Sequence, residues 1–258
     1  MTRYAFNNAS EQAGAHHDAL SQLLDAQTRA YIGELVDLPG KSCLEVGACG
    51  GGMAVWLADQ GAEVTATDIA PQRIPARPGL TVRRHDVVTD DPPGRFDLVH
   101  ARLVLGHLPQ RMRALHHMVE ALAPHGVLVT GDFLLAPGPF VAYAPEEQTT
   151  EVLSRYIKAH LRTLEAHGND DPEWPHRTPA AFAAAGLTDV SFRLHGGSWH
   201  GGGPGCRLLL ATIPQMRGTL LKHGLTDDDL TATTTALADP RLVLNGFIFF
   251  QTSGRLDR

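Results

Sequence analysis

This chain of 258 residues is poor in cysteine and contains no long apolar run. Its three cysteines are Cys43, Cys49 and Cys206, an odd number without the paired spacing of metal sites. They predict a reduced, cytoplasmic protein without a bound metal. No window approaches the ~18 apolar residues of a membrane span, and the first residues lack the apolar core of a signal peptide. We therefore expect no membrane partner.

A block of basic residues is absent as well. The formal net charge is −6 and the arginines are scattered, whereas phosphate binding requires a basic face. We therefore expect no nucleic-acid partner. The content of 43% hydrophobic and 19% charged residues is typical of a globular protein with a sizeable core. The expected organisation is a single domain over residues 1–258, as a monomer or a homodimer.

Short apolar runs alternate with amphipathic segments along the chain. After a helix predicted over 15–38, the predicted strands are Cys43–Val46, Glu63–Thr67, Thr81–Arg84, Phe96–His100, Gly126–Thr130, Val190–Leu194 and 245–253. Helices are predicted between them, at 52–60, 109–123 and 178–185. This alternation indicates an α/β fold with a doubly wound, mostly parallel sheet.

Two segments do not fit the alternation. Residues 134–177 contain Pro/Gly turns and one predicted helix, and residues 195–244 contain a glycine-rich run and two predicted helices. Long excursions at the carboxyl edge of a sheet usually form lids or pocket walls. Both segments are therefore predicted to be lid insertions, and residues 1–40 to be an N-terminal helical cover.

The segment from Cys43 to Ala58 is predicted to pass from a strand through a glycine turn into a helix. Gly47, Gly50, Gly51 and Gly52 form the turn. Such a turn brings backbone N–H groups and a helix N-terminus to the carboxyl end of a strand. This arrangement can bind a nucleotide or a charged small molecule.

An acidic residue follows each of the next two predicted strands. Asp68 is positioned to accept both ribose hydroxyls of a nucleoside, and Asp86 to accept from an adenine amino group. Ile69 and Val87 could enclose the adenine ring between them. A helix cap or turn is the alternative role for each acid taken singly. Their order and spacing together, followed by Phe96-Asp97 in the fourth strand, predict a nucleoside site.

This order of motifs resembles the class I S-adenosylmethionine-dependent methyltransferases over most of the chain. Leu44-Glu-Val-Gly-Ala-Cys-Gly-Gly51 matches their first motif, acid-x-Gly-x-Gly-x-Gly, except that Cys49 replaces the middle glycine. Ala101-Arg-Leu-Val-Leu-Gly-His-Leu-Pro109 and Gly131-Asp-Phe133 are similar to a small-molecule branch that is common in natural-product and antibiotic biosynthesis. The resemblance implies a Rossmann-like sheet of seven strands whose last strand is antiparallel.

The resemblance also implies a cofactor, S-adenosyl-L-methionine, and the residues that bind it. Its methionine part would contact the glycine turn, and its nucleoside part the two acids. The predicted cofactor-binding residues are Glu45, Gly47, Ala48, Gly51, Asp68, Ile69, Asp86, Val87, His100, Ala101 and Arg102.

Candidates for catalysis and acceptor binding rest on fewer observations. His107, Asp132 and His200 are candidate general bases, although a histidine bonded to backbone or exposed to solvent is the alternative for each imidazole. The resemblance makes Tyr4 and Tyr143 candidates for closing over the methyl group, since relatives often use a tyrosine there. Trp174 and Trp199 are candidates for pocket walls or simply for anchoring the lids.

The predicted function is methyl transfer to an oxygen or nitrogen of a small-molecule acceptor, by in-line displacement with help from a base. One alternative keeps the cofactor but catalyses a non-methylating reaction such as cyclisation. A second alternative is an NAD-dependent oxidoreductase.

Overall fold

The computed structural model describes residues 13–135 and 138–257. Its helices are α1 (Ala13–Leu35), α2 (Gly52–Asp59), α3 (Arg111–Glu120), α4 (Glu147–Ala166), α5 (Trp174–Ala184), α6 (Pro204–Lys222) and α7 (Asp227–Ala238). Its strands are β1 (Ser42–Val46), β2 (Glu63–Asp68), β3 (Leu80–Arg84), β4 (Phe96–Arg102), β5 (Leu122–Leu134), β6 (Val141–Tyr143), β7 (Thr188–His195), β8 (Ser198–His200), β9 (Val243–Asn245) and β10 (Ile248–Arg255).

The main sheet has seven strands in the order β3-β2-β1-β4-β5-β10-β7. The first five strands in this order pair in parallel, and β10 pairs with β7 in the antiparallel direction. The predicted Rossmann-like α/β class is therefore confirmed. Chain order reverses between β1 and β4, and in open α/β sheets ligands bind at the carboxyl ends of the strands at such a point.

Both faces of the sheet are covered at its central strands β1, β4 and β5, which bury consecutive side chains on opposite sides. In β4, Leu98 packs with Tyr31 of α1 and Met53 of α2. The next residue, Val99, packs on the other face with Leu115 of α3. Strands buried on two faces read as continuous apolar runs, and this is why the sequence predicts the central strands.

The chain forms two compact units. The sheet unit consists of Asp25–Leu134, Glu173–His195 and Phe249–Arg258. The helical unit consists of the described residues of Met1–Leu24, Leu135–Pro172 and Gly196–Ile248. Its two later ranges overlap the predicted insertions, 134–177 and 195–244.

The helical unit contains α4, α6 and α7. It also contains a small sheet of order β6-β9-β8, and the sequence did not predict this sheet. A capping box begins α7: the Thr226 side chain accepts from the Asp229 N–H, and the Asp229 carboxylate accepts from the Thr226 N–H. The predicted single strand over 245–253 was wrong in one respect, because β9 ends at Asn245 and β10 begins at Ile248. Gly246 interrupts it, since its N–H donates to the Gly197 carbonyl.

Candidate active site

The glycine turn between β1 and α2 has a left-handed backbone at three positions. The φ angles are 67° at Gly47, 50° at Cys49 and 80° at Gly51. A Cβ at Gly47 would lie 2.6 Å from Val104 Cγ2, and one at Gly51 would lie 2.9 Å from Ile74 Cγ2. Backbone conformation and close packing therefore both require glycine at these two positions.

Cys49 has the backbone conformation that glycine adopts most easily. This explains why the related motif has glycine there, and it means that Cys49 carries a strain on the order of 1 kcal/mol. Gly51 is the N-cap of α2 and has no side chain to accept from the first turn. The N–H groups at the start of α2 are therefore suited to polar atoms of a ligand.

Asp68, at the end of β2, forms a hydrogen bond to the glycine turn. Its side chain is buried, Oδ2 accepts from the Cys49 N–H at 2.9 Å, and Oδ1 accepts from the Ala70 N–H at 2.8 Å. The capping role that the sequence left open is therefore present. A carboxylate offers about four lone-pair positions, so two backbone bonds leave capacity for two ligand hydroxyls.

Asp86 lies just beyond β3, which pairs directly with β2. Its Oδ1 accepts from the Val88 N–H at 2.9 Å, which organises the turn that follows. Ile69 is 53% exposed, whereas Val87 is partly buried against the core. The structure thus places an exposed apolar side chain directly after Asp68.

Glu45 and His100 form a buried pair between β1 and β4. They are paired in the strand register, and His100 Nδ1 lies 2.6 Å from Glu45 Oε2. The Ala101 side chain faces the core, so this residue offers only backbone to a ligand. Arg102 Nη1 donates to Asp25 Oδ1 of α1 at 2.8 Å. The Glu45 carboxylate therefore contacts His100, which is itself a predicted site residue. Arg102 bonds to Asp25, which the sequence did not single out.

The ends of β4 and β5 bring Asp132 beside the turn that contains His107. The Gly106 N–H, in the short 3-10 helix Leu105–His107, donates to Asp132 Oδ1 at 3.1 Å. Burial raises the pKa of Asp132 to about 7, although the Gly106 N–H, the Arg111 guanidinium and the Trp174 indole N–H lower it.

Burial, followed by the charge of Arg111, lowers the pKa of His107 to about 4. His107 is consequently neutral near pH 7. Asp132 is the group whose protonation changes close to that pH, and this makes it the better placed of the two for accepting a proton.

The remaining predicted site residues belong to different units of the chain. Trp174, placed by the sequence in the first insertion, instead begins α5 in the core of the sheet unit. In the helical unit, Tyr143 and His200 are exposed, and His200 Nε2 lies 3.3 Å from Ser198 Oγ. Tyr4 lies outside the described residues.

Trp199 is buried in the helical unit, where its ring contacts Phe247 edge-on at a centroid distance of 5.2 Å. A Cβ at Gly205 would lie 2.0 Å from Trp199 Cδ2. Part of the glycine-rich run after β8 is therefore explained by packing against this indole.

The sequence did not single out Arg111 or Asp25 as site residues. Asp25 bonds to Arg102, and Arg111 acts on Asp132 and Trp174, which all lie far from them in the chain, so no local pattern could have shown these roles. Within the described ranges, no helix is long and apolar enough to cross a membrane. The same residues include no group of three metal-ligating side chains, and all three cysteines are free.

Comparison with known proteins gives a consistent result. A family model for a methyltransferase domain matches residues 16–179. The chain is 35% identical over 130 residues to Methyltransferase str3 of Strobilurus tenacellus, covering 47% of this chain and 44% of that protein. It is 35% identical over 119 residues to 27-O-demethylrifamycin SV methyltransferase of Amycolatopsis mediterranei, covering 40% and 42%. The chain spans about half the length of the curated relatives it matches.

A solved structure is similar over nearly the whole chain. It is the phosphoethanolamine N-methyltransferase 2 of Haemonchus contortus in complex with phosphomonomethylethanolamine and S-adenosylhomocysteine. The TM-score is 0.58 at 13% identity, over 96% of this chain and 58% of that one. At this identity the likeness concerns the fold.

Proposed function

The chain belongs to the methyltransferase-domain family, and we propose that it transfers a methyl group from S-adenosylmethionine to an oxygen or nitrogen of a small-molecule acceptor. One observation carries the proposal. Four neighbouring parallel strands lie in the order β3-β2-β1-β4. At or just beyond their carboxyl ends lie, in the same order, Asp86, Asp68, the glycine turn and the turn that contains His107. Their carboxyl ends share one edge, where such sheets bind ligands.

The residues at this edge fit the proposed cofactor. Asp68 retains lone pairs for the two ribose hydroxyls, and the exposed Ile69 offers an apolar surface to the adenine ring. In the described part of the chain, Asp86 Oδ2 has no protein partner and can accept from the adenine amino group. The carboxylates of Glu45 and Asp68 on either side of the turn suit a cationic sulfonium better than an anionic pyrophosphate.

The main task of the protein in this reaction is alignment. S-adenosylmethionine supplies, when bound, an activated methyl group on a sulfonium. The chain must hold the acceptor at attack distance, exclude water and take the acceptor's proton where one is lost. We assign the proton transfer to Asp132, because burial places its pKa near 7. The neutral His107 beside it is suited to hydrogen bonding with the acceptor.

The acceptor is proposed to be a small secondary metabolite. The name of the Amycolatopsis relative, a 27-O-demethylrifamycin SV methyltransferase, supports an antibiotic-type acceptor and transfer to oxygen. Contact of Tyr143 and His200 with the acceptor stays a prediction from the sequence. The three free cysteines support a cytoplasmic setting, where the protein would act without nucleic acid as a monomer or a homodimer.

A transfer assay tests this function. The protein is incubated with S-adenosylmethionine labelled in its methyl group and with a panel of low-molecular-weight hydroxyl and amine compounds. We expect label in an organic product at a rate that rises with pH through about 7, because the Asp132 carboxylate forms in that range. Tight binding of the cofactor without transfer to any acceptor would contradict the proposal and favour a reaction such as cyclisation.

A further inference from the structure

Arg111 is a buried cation at an electrostatically unfavourable place. It is the first residue of α3, its exposed fraction is 7%, and the first turn of α3 contains no acidic residue. The N-terminus of a helix carries partial positive charge, so a cation there is repelled, and burial removes its hydration as well. Other contacts must therefore hold this guanidinium in the sheet unit.

Among the described residues, the Arg111 side chain contacts Leu108 and Trp174. Its Nε donates to the Leu108 carbonyl at 2.8 Å, and its guanidinium carbon lies 5.6 Å from the centroid of the Trp174 ring. Leu108 directly follows the short helix Leu105–His107, whose Gly106 N–H donates to Asp132. Arg111 therefore bonds to the same turn that contacts Asp132, the proposed base.

We propose that Arg111 is a positioning residue for methyl transfer: it fixes the 105–108 turn beside Asp132 and holds a positive charge against this turn. This inference rests on the function proposed above. Of the described residues, Arg111 is the charged group that acts on Asp132, and the Gly106 and Trp174 N–H groups act as dipoles. Burial, and after it the charge of Arg111, lowers the pKa of His107, the other titratable group of the turn.

Two substitutions separate the charge of Arg111 from its shape. Arg111→Met removes the charge and retains much of the apolar stem, with Arg111→Gln as a second uncharged variant should the first not fold. Arg111→Lys keeps the charge but loses the planar group that stacks on Trp174 and bonds to Leu108. Arg113→Met is the matched control, because Arg113 is exposed on the same helix.

The first measurement follows the ionisation of Asp132 itself, by NMR of protein labelled with ¹³C in its aspartate carboxyl groups. The Asp132 signal is assigned by its absence in Asp132→Asn. We expect the titration midpoint to rise by about 1 pH unit or more in Arg111→Met, since a nearby opposite charge lowers a carboxyl pKa by about 1–3 units. Arg111→Lys should titrate close to the wild type, and Arg113→Met should be unchanged.

The second measurement is the pH profile of methyl transfer. In Arg111→Met, kcat should fall about fivefold or more at pH 7, because a rise of the Asp132 pKa from about 7 by about 1 unit lowers the ionised fraction from about a half to about a tenth. It should recover towards the wild-type value at higher pH, with an unchanged affinity for S-adenosylhomocysteine. An equal loss of kcat at every pH would show a merely structural role and overturn the proposal. An unshifted Asp132 midpoint in Arg111→Met would also overturn it. If the wild type transfers no methyl group, the proposed function fails, whereas the NMR midpoint reports on Arg111 separately.

Discussion

Replacement of Asp68 by alanine is expected to lower the affinity for S-adenosylhomocysteine by at least about 100-fold. Two ribose hydroxyls lose a charged acceptor at once, and each such hydrogen bond contributes about 1.5–3 kcal/mol. The glycine turn also loses its attachment, because the Asp68 carboxylate accepts from the N–H groups of both Cys49 and Ala70. The measurement is calorimetric titration of the variant beside the wild type.

The matched control for this prediction lies on the same strand. Glu63 is an exposed acid at the amino end of β2, so Glu63→Ala should bind S-adenosylhomocysteine as the wild type does. Denaturant unfolding of Asp68→Ala measures the separate cost to stability, which we expect to be about 1–3 kcal/mol for the backbone groups left without an acceptor. A loss of affinity of less than about threefold would show that Asp68 is only a cap.

Asp132→Asn is expected to reduce kcat by at least about 100-fold while leaving the affinity for S-adenosylhomocysteine unchanged. The amide has the shape of the carboxylate and can still accept from the Gly106 N–H, but it cannot take a proton from the acceptor. Transfer assays at saturating cofactor measure the effect. A kcat close to that of the wild type would remove Asp132 from the proposed chemistry and direct attention to His107 or His200.

The same variant should be more stable than the wild type in alkaline solution. Burial raises the pKa of Asp132 from its ordinary value to about 7. The unfolded chain therefore loses this proton near pH 4 and the folded protein only near pH 7. Wild-type stability must fall with rising pH between these values, and asparagine has no charge to bury.

The stability difference between Asp132→Asn and the wild type should thus grow between pH 4 and pH 8, to a limit on the order of 4 kcal/mol for about three pKa units. Other titrating groups cancel in this difference. Denaturant unfolding of both proteins at the two pH values measures it. A difference independent of pH would show that the Asp132 carboxyl group titrates normally.

The sequence predicted the central strands of the main sheet well, because they are buried on both faces and read as apolar runs, whereas the edge strands β3 and β7 are largely exposed. The limits of β1 and β2 were right to within one residue, whereas β5 extends several residues beyond its predicted range at each end. The strands β6, β8 and β9 have three residues each and lie among glycines and prolines. Runs this short produce no periodicity, and they form here through pairing with one another.

The sequence could predict those site residues whose place in the fold follows from their position at the end of a strand. Acids after β2 and β3 reach one edge of the sheet because parallel strands share their direction, so Asp68 and Asp86 could be singled out. The positive φ of Cys49 explains why the related motif has glycine at this position, but nothing in the structure explains the cysteine. Arg111 gave no signal, because its effect on Asp132 depends on packing between elements remote in sequence.

The central claim is that the glycine turn, Asp68 and Asp86 form a site for S-adenosylmethionine. The most direct test is calorimetric titration of the wild-type protein with S-adenosylhomocysteine and, separately, with NAD. The account predicts binding of S-adenosylhomocysteine with a Kd on the order of micromolar and no measurable heat with NAD. Micromolar binding of NAD with no binding of S-adenosylhomocysteine would contradict it.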